Sequence, residues 1–177
     1  MAEVERMDAS KASHDLGEVE NVAYVFLELL GIVKPPTPDN LVFSFDPSHP
    51  VVFVSSCLGR RRGALDYYNG YWLLHCNRGD RSAVQRFTRF HEGYHILEHV
   101  DPVLAAMRTS HAWGERLADH FAACILMPRR WMEERWPRVR DISRMAGMFW
   151  VSRGAMWHRL RELDLSAGPG VRSADGY

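Results

Sequence analysis

At 177 residues, 46% hydrophobic and 25% charged, the chain is long enough for one domain with a substantial core and too apolar to be disordered. Lysine plus arginine balance aspartate plus glutamate at 22 each, so no global charge points to nucleic acid or to a membrane surface. Cys57, Cys76 and Cys124 form neither a disulfide framework nor a C-x-x-C pair, no apolar run nears the roughly 20 residues of a membrane span, and the polar start lacks a leader's apolar core; a cytoplasmic setting is expected.

Residues 1–18 carry little apolar periodicity and read as a flexible tail. Between Val19 and Leu30, the residues Val22, Val25, Phe26, Leu29 and Leu30 recur at helical spacing, and Gly31 ends the run. Lys34-Pro-Pro-Thr-Pro38 excludes helix and central strand and reads as a connector. Leu41–Phe45 and Val51–Ser55 are predicted strands separated by Asp46-Pro-Ser-His-Pro50, and Tyr71–Cys76 is a third, after the turn signal Asn69-Gly70. The basic loop Gly59-Arg-Arg-Arg-Gly63 between them reads as solvated, with contact to an acidic partner as the alternative.

After Gly79 the pattern turns helical. Ser82 is expected to cap a helix through His99, Asp101-Pro102 to start another, and Glu115–Met127 to form a strong helix ended by Pro128. Asp141–Phe149 and Ser152–Leu163 add two short helices, and residues 166–177, rich in Gly, Ser and Ala, read as a flexible end. One helix, a small sheet and then helices make an α+β domain over residues 19–165.

His91-Glu-Gly-Tyr-His95 is an H-E-x-x-H motif. Residues four apart on a helix lie about 40° apart and one turn up, so both imidazoles reach one ion at the roughly 2.0–2.1 Å of a zinc–nitrogen bond. Glu92 points about 100° away, toward a water at the metal rather than toward the metal. The bland reading is a pair of surface histidines on an amphipathic helix. Glu115 and Asp119, one turn apart on the next strong helix, tip the balance. Glu115 completes a two-His-one-Glu zinc set, and Asp119 can accept the outer N–H of a ligating histidine. His99 is only a neighbour, since about 12 Å of helix separates it from His91. Tyr67, Tyr68, Tyr71, His111 and His120 are left open as oxyanion donors.

With these stretches assembled, residues 20–165 resemble the ImmA/IrrE metallopeptidases. The likeness is carried by Arg86-Phe-Thr-Arg-Phe-His-Glu-Gly-Tyr-His95, by Glu115-Arg-Leu-Ala-Asp-His-Phe-Ala-Ala-Cys-Ile-Leu-Met-Pro128, and by Val151-Ser-Arg-Gly-Ala-Met-Trp-His-Arg-Leu160. It implies a compact zincin-like domain with a small β-sheet packed on helices and the H-E-x-x-H segment on the active-site helix. It also implies one Zn²⁺ per chain, with Mn²⁺ or Fe²⁺ able to use the same ligands, and cleavage of a helix-turn-helix transcriptional repressor in a stress or mobile-element switch. The usual Leu-Gly between the motif's Glu and second His is Gly93-Tyr94 here. The alternative is a DNA- or repressor-binding module without peptidase activity, in which Arg144, Arg153, Arg159 and Arg161 meet phosphates. Packing of Met145, Phe149, Met156 and Leu160 into the core is the favoured reading of that helical pair, and direct nucleic-acid binding is not expected.

Overall fold

In a computed structural model, which describes residues 9–166, the chain opens with helix α1, Ala9–Leu29. Its buried residues Asp15, Val19, Ala23 and Leu27 recur every fourth position and form one stripe facing the interior. Residues 9–18 are therefore helix and not tail. The stripe's first member is a carboxylate, which apolar periodicity cannot register. Asp15 is 3% exposed and is satisfied by Lys11 Nζ at 2.9 Å and by the indole N–H of Trp113 at 3.2 Å. The rest of both expected tails, residues 1–8 and 167–177, lies outside the described residues.

The strand expected at Leu41–Phe45 is instead a 3-10 helix, Asp39–Ser44. Among the described residues no strand pairs with this segment, and its amides turn back on nearby carbonyls, Leu41 N to Pro38 O at 3.2 Å and Phe45 N to Val42 O at 3.2 Å. Asp39 at its start is held by Arg86 and Arg89. Leu41, Val42 and Phe45 point into the core.

Strands β1 (Val51–Ser56), β2 (Gly63–Tyr68) and β3 (Tyr71–Asn77) form one sheet in the order β1-β3-β2. β1 runs parallel to β3, from Val51 opposite Trp72 to Ser56 opposite Asn77. β2 runs antiparallel to β3, from Gly63 opposite Cys76 to Tyr68 opposite Tyr71. Asn69 and Gly70 close that hairpin with φ of 49° and 83°, the backbone a tight two-residue turn requires. β2 carries only Ala64 and Leu65 as aliphatic residues and lies at a sheet edge, so its sequence hides it.

Among the described residues six helices follow: α2 (Ser82–Val100), α3 (Pro102–Met107), α4 (His111–Leu126), α5 (Arg129–Val139), α6 (Ile142–Phe149) and α7 (Arg153–Glu162). Side chains of Asp101, Ser110, Asp141 and Ser152 cap α3, α4, α6 and α7 by accepting backbone N–H groups. Ser82 is the first residue of α2 and not its cap, a place taken by Arg81 without a side-chain bond. Met145, Phe149, Met156 and Leu160 are all fully buried, so the α6–α7 pair packs on the core. Arg159 is 1% exposed, donates to Met127 O at 3.1 Å and pairs with Glu20 and Glu162. It cannot meet a phosphate.

Candidate metal centre

The close approach of two elements to α2 frames the site. Gly93 faces the 3-10 helix, where a Cβ would fall 2.8 Å from Phe45 Cε2 and 3.3 Å from Val42 Cγ1. Gly63, the first residue of β2, lies so near α2 that a Cβ would overlap Glu92 Oε1 and Thr88 Cγ2. A side chain at either glycine would force its neighbours to shift. The ring of Tyr94 is fully buried, against Phe121 of α4 at 5.5 Å between centroids, and helps join the two helices.

That junction brings His91, His95 and Glu115 together, with one donor atom from each within 4.8 Å of the others. His91 Nε2 is 3.4 Å from Glu115 Oε2, and His95 Nε2 is 3.4 Å from Glu115 Oε1. A charge-assisted hydrogen bond would close such a pair to roughly 2.7–2.9 Å. Two donors bonded to one zinc at roughly 2.0–2.1 Å in tetrahedral geometry stand about 3.3–3.4 Å apart. The two Nε2–carboxylate separations are longer than such a hydrogen bond and match that second spacing.

The outer ring nitrogens are both engaged. His91 Nδ1 lies 2.8 Å from Asp119 Oδ1, and His95 Nδ1 lies 2.7 Å from Glu98 Oε2. A carboxylate on Nδ1 keeps that proton in place and turns the Nε2 lone pair toward the cluster. Asp119 was legible from sequence. Glu98 was not, because an acid one turn beyond a histidine is common on helices. It is 6% exposed, with Arg108 Nη1 at 3.8 Å from Oε2. Burial works against the imidazolium of His91, but the hydrogen bond and charge of Asp119, with Glu92 and Glu115 behind, prevail and raise its pKa. Burial likewise raises the Glu92 carboxyl above its ordinary value, against the pull of His91 and His95. A buried base of raised pKa suits proton transfer near neutrality.

Of the five oxyanion candidates, the fold brings only His111 to the cluster, its Nδ1 3.7 Å from Glu115 Oε1. Tyr71 pairs with Tyr68 at the far end of the β2–β3 ladder, roughly 16 Å along the strand from Gly63. Tyr67 packs beside Trp72 at that same end, with 4.8 Å between rings. His120 faces the other side of α4, where it bonds Leu16 O at 3.1 Å and Glu162 Oε1 at 2.7 Å. His99 stacks on Trp72 with ring centroids 5.1 Å apart.

An H-E-x-x-H helix crossed by a carboxylate-bearing helix, beside a small mixed sheet, defines a zincin-like domain of the α+β class. The chain belongs to the IrrE N-terminal-like domain family, Peptidase_M78, whose model matches residues 47–161. Among solved structures it is similar to a Mycobacterium tuberculosis transcriptional regulator, with a TM-score of 0.63 at 15% identity, over 81% of this chain and 46% of the regulator. That likeness concerns the fold, and the chain spans under half of the regulator's length. No curated protein matches the chain.

Proposed function

We propose that the chain is a zinc-dependent endopeptidase in which His91, His95 and Glu115 hold the ion and Glu92 is the general base. The observation that carries this reading is the pair of 3.4 Å separations between each Nε2 and the Glu115 carboxylate. A divalent ion held by His91, His95 and Glu115 would supply Lewis acidity, lowering the pKa of the attacking water toward about 7. Glu92 accepts the proton of the attacking water and returns it to the leaving amide nitrogen. In this reading Asp119 and Glu98 orient the two imidazoles, and His111 donates to the developing oxyanion. Mn²⁺ or Fe²⁺ could occupy the same donors.

The substrate class follows from the ImmA/IrrE resemblance: a helix-turn-helix repressor cut at a limited number of bonds in the cytoplasm. The regulator among the structural neighbours supports a link to transcription. Among the described residues no helix is long and apolar enough to cross a membrane, which accords with a cytoplasmic partner. The test is to incubate the zinc-loaded protein with helix-turn-helix repressors from its own genome. Discrete fragments should appear, and Glu92→Gln should slow their release about 10²–10⁴-fold. Repressors all left intact by the wild type, or cut equally fast by the variant, sink the reading.

A further inference from the structure

The chain is neutral overall, yet the β1–β2 connection carries Arg60, Arg61 and Arg62 in succession with no acid between Cys57 and Gly63. All three side chains are exposed, as is Arg78 at the end of β3. Among the described residues none of these four guanidinium groups makes an ion pair or a side-chain hydrogen bond.

The backbone beneath them is fixed. Asn77 Nδ2 donates to Gly59 O at 3.0 Å and to Arg61 O at 2.8 Å, and Asn77 N donates to Arg62 O at 2.8 Å. Arg61 N donates to Leu58 O at 3.1 Å, and Arg78 N to Ser56 O at 2.8 Å. Gln85 Nε2 bonds Asn77 O at 3.2 Å and so ties the loop to α2. The loop then runs straight into Gly63, whose backbone abuts Glu92, and the Arg61 charge is felt at the Glu92 carboxyl.

A cluster of unpaired guanidinium groups on a pinned backbone is preorganised for planar anions. Duplex DNA fits the position poorly. It carries one phosphate charge per about 1.7 Å of axis, and beyond the arginines such a backbone would meet Glu92, Glu115 and Asp119. A polypeptide can place acidic residues on the arginines and neutral ones over the base.

We infer that the Arg60-Arg61-Arg62 loop selects polypeptide substrates bearing a cluster of aspartate or glutamate to one side of the bond that meets Glu92. The inference deepens the peptidase reading and rests on it, but its test needs no turnover.

Two fluorescein-labelled 20-residue peptides serve as probes. One carries five adjacent Asp and Glu residues, and the other has Asn and Gln at those five places. Anisotropy is read on the zinc-loaded Glu92→Gln protein, with and without Arg60→Gln/Arg61→Gln/Arg62→Gln, after matching melting curves establish that both fold. The acidic peptide should bind about tenfold tighter, as three exposed ion pairs allow. The preference should shrink with salt and vanish in the triple variant. Equal affinities, no binding of either peptide, a preference that survives the triple change, or displacement of the acidic peptide by random duplex DNA better than by its unlabelled self would each overturn the inference. Wild-type protein that cuts polypeptides without acidic preference refutes the loop's role alone. Protein that prefers the acidic peptide but cuts nothing refutes the peptidase reading and leaves the preference standing.

Discussion

At the scale of single residues, Gly93 separates local propensity from tertiary packing. Propensity alone gives Gly93→Ala a gain of about 1 kcal/mol for α2. The Cβ would instead press on Phe45 and Val42, at 2.8 and 3.3 Å from their nearest carbons, so a loss of about 1–3 kcal/mol is expected. Chemical denaturation decides the sign. Asp119→Asn and Glu98→Gln should each weaken zinc binding about 10–100-fold in competition with a chromophoric chelator. His91 adds a pH dependence. Its raised pKa keeps the ring protonated to higher pH than an ordinary histidine, so zinc affinity should fall as pH drops through that raised value. A flat affinity across that range would show that His91 takes no part. The candidate donors His91 and His95 were readable as a pair because helical spacing is a short-range property. Glu98 escaped since an acid three residues after a histidine is common, and only burial marks this one.

Among the elements, the error at Leu41–Phe45 has a simple cause: a short apolar run fits a strand and a buried turn equally well, and here Leu41, Val42 and Phe45 reach the core from a 3-10 turn. α5 was missed because Arg129–Val139 is mostly charged, shows only Trp131, Met132 and Trp136 to the core, and contains Pro137. The late helices were legible because Asp141 and Ser152 signal their caps. Where they meet α1, Glu162 has a pKa of about 2: burial opposes the charge, and His120 and Arg159 more than restore it. A carboxyl depressed in the folded state contributes stability that is fully present above its unfolded value near 4.5 and is lost as pH falls through the folded one. Urea midpoints of the wild type and Glu162→Gln should therefore differ most above pH 4.5 and converge toward pH 2. A gap unchanged with pH would remove Glu162 from the ion-pair network.

For the whole molecule, the three donors belong to α2 and α4, so an ion bound there couples the two central helices. Zinc at a thousand times its Kd should add about 4 kcal/mol to unfolding, seen as a lower Tm after chelation and recovery on adding zinc back. Glu92→Gln should keep that gain while losing cleavage, whereas His91→Ala should lose both. A melting temperature indifferent to chelation in the wild type would argue that no ion joins the helices. The α+β class could be read from element order, but the attachment of α1 could not. Its partners, Trp113 and Arg159, lie 98 and 139 residues from Asp15 and Glu20.

Those separations also govern the order of assembly. A ribosome adding about 5–20 residues per second needs roughly 7–30 s to pass from Glu20 to Arg159. Through that interval the first helix is on hand with Val19, Ala23 and Leu27 still uncovered, while the hairpin of β2 and β3 can already have closed. The nascent chain therefore spends its longest wait with its earliest apolar stripe open to chaperones or to neighbouring copies.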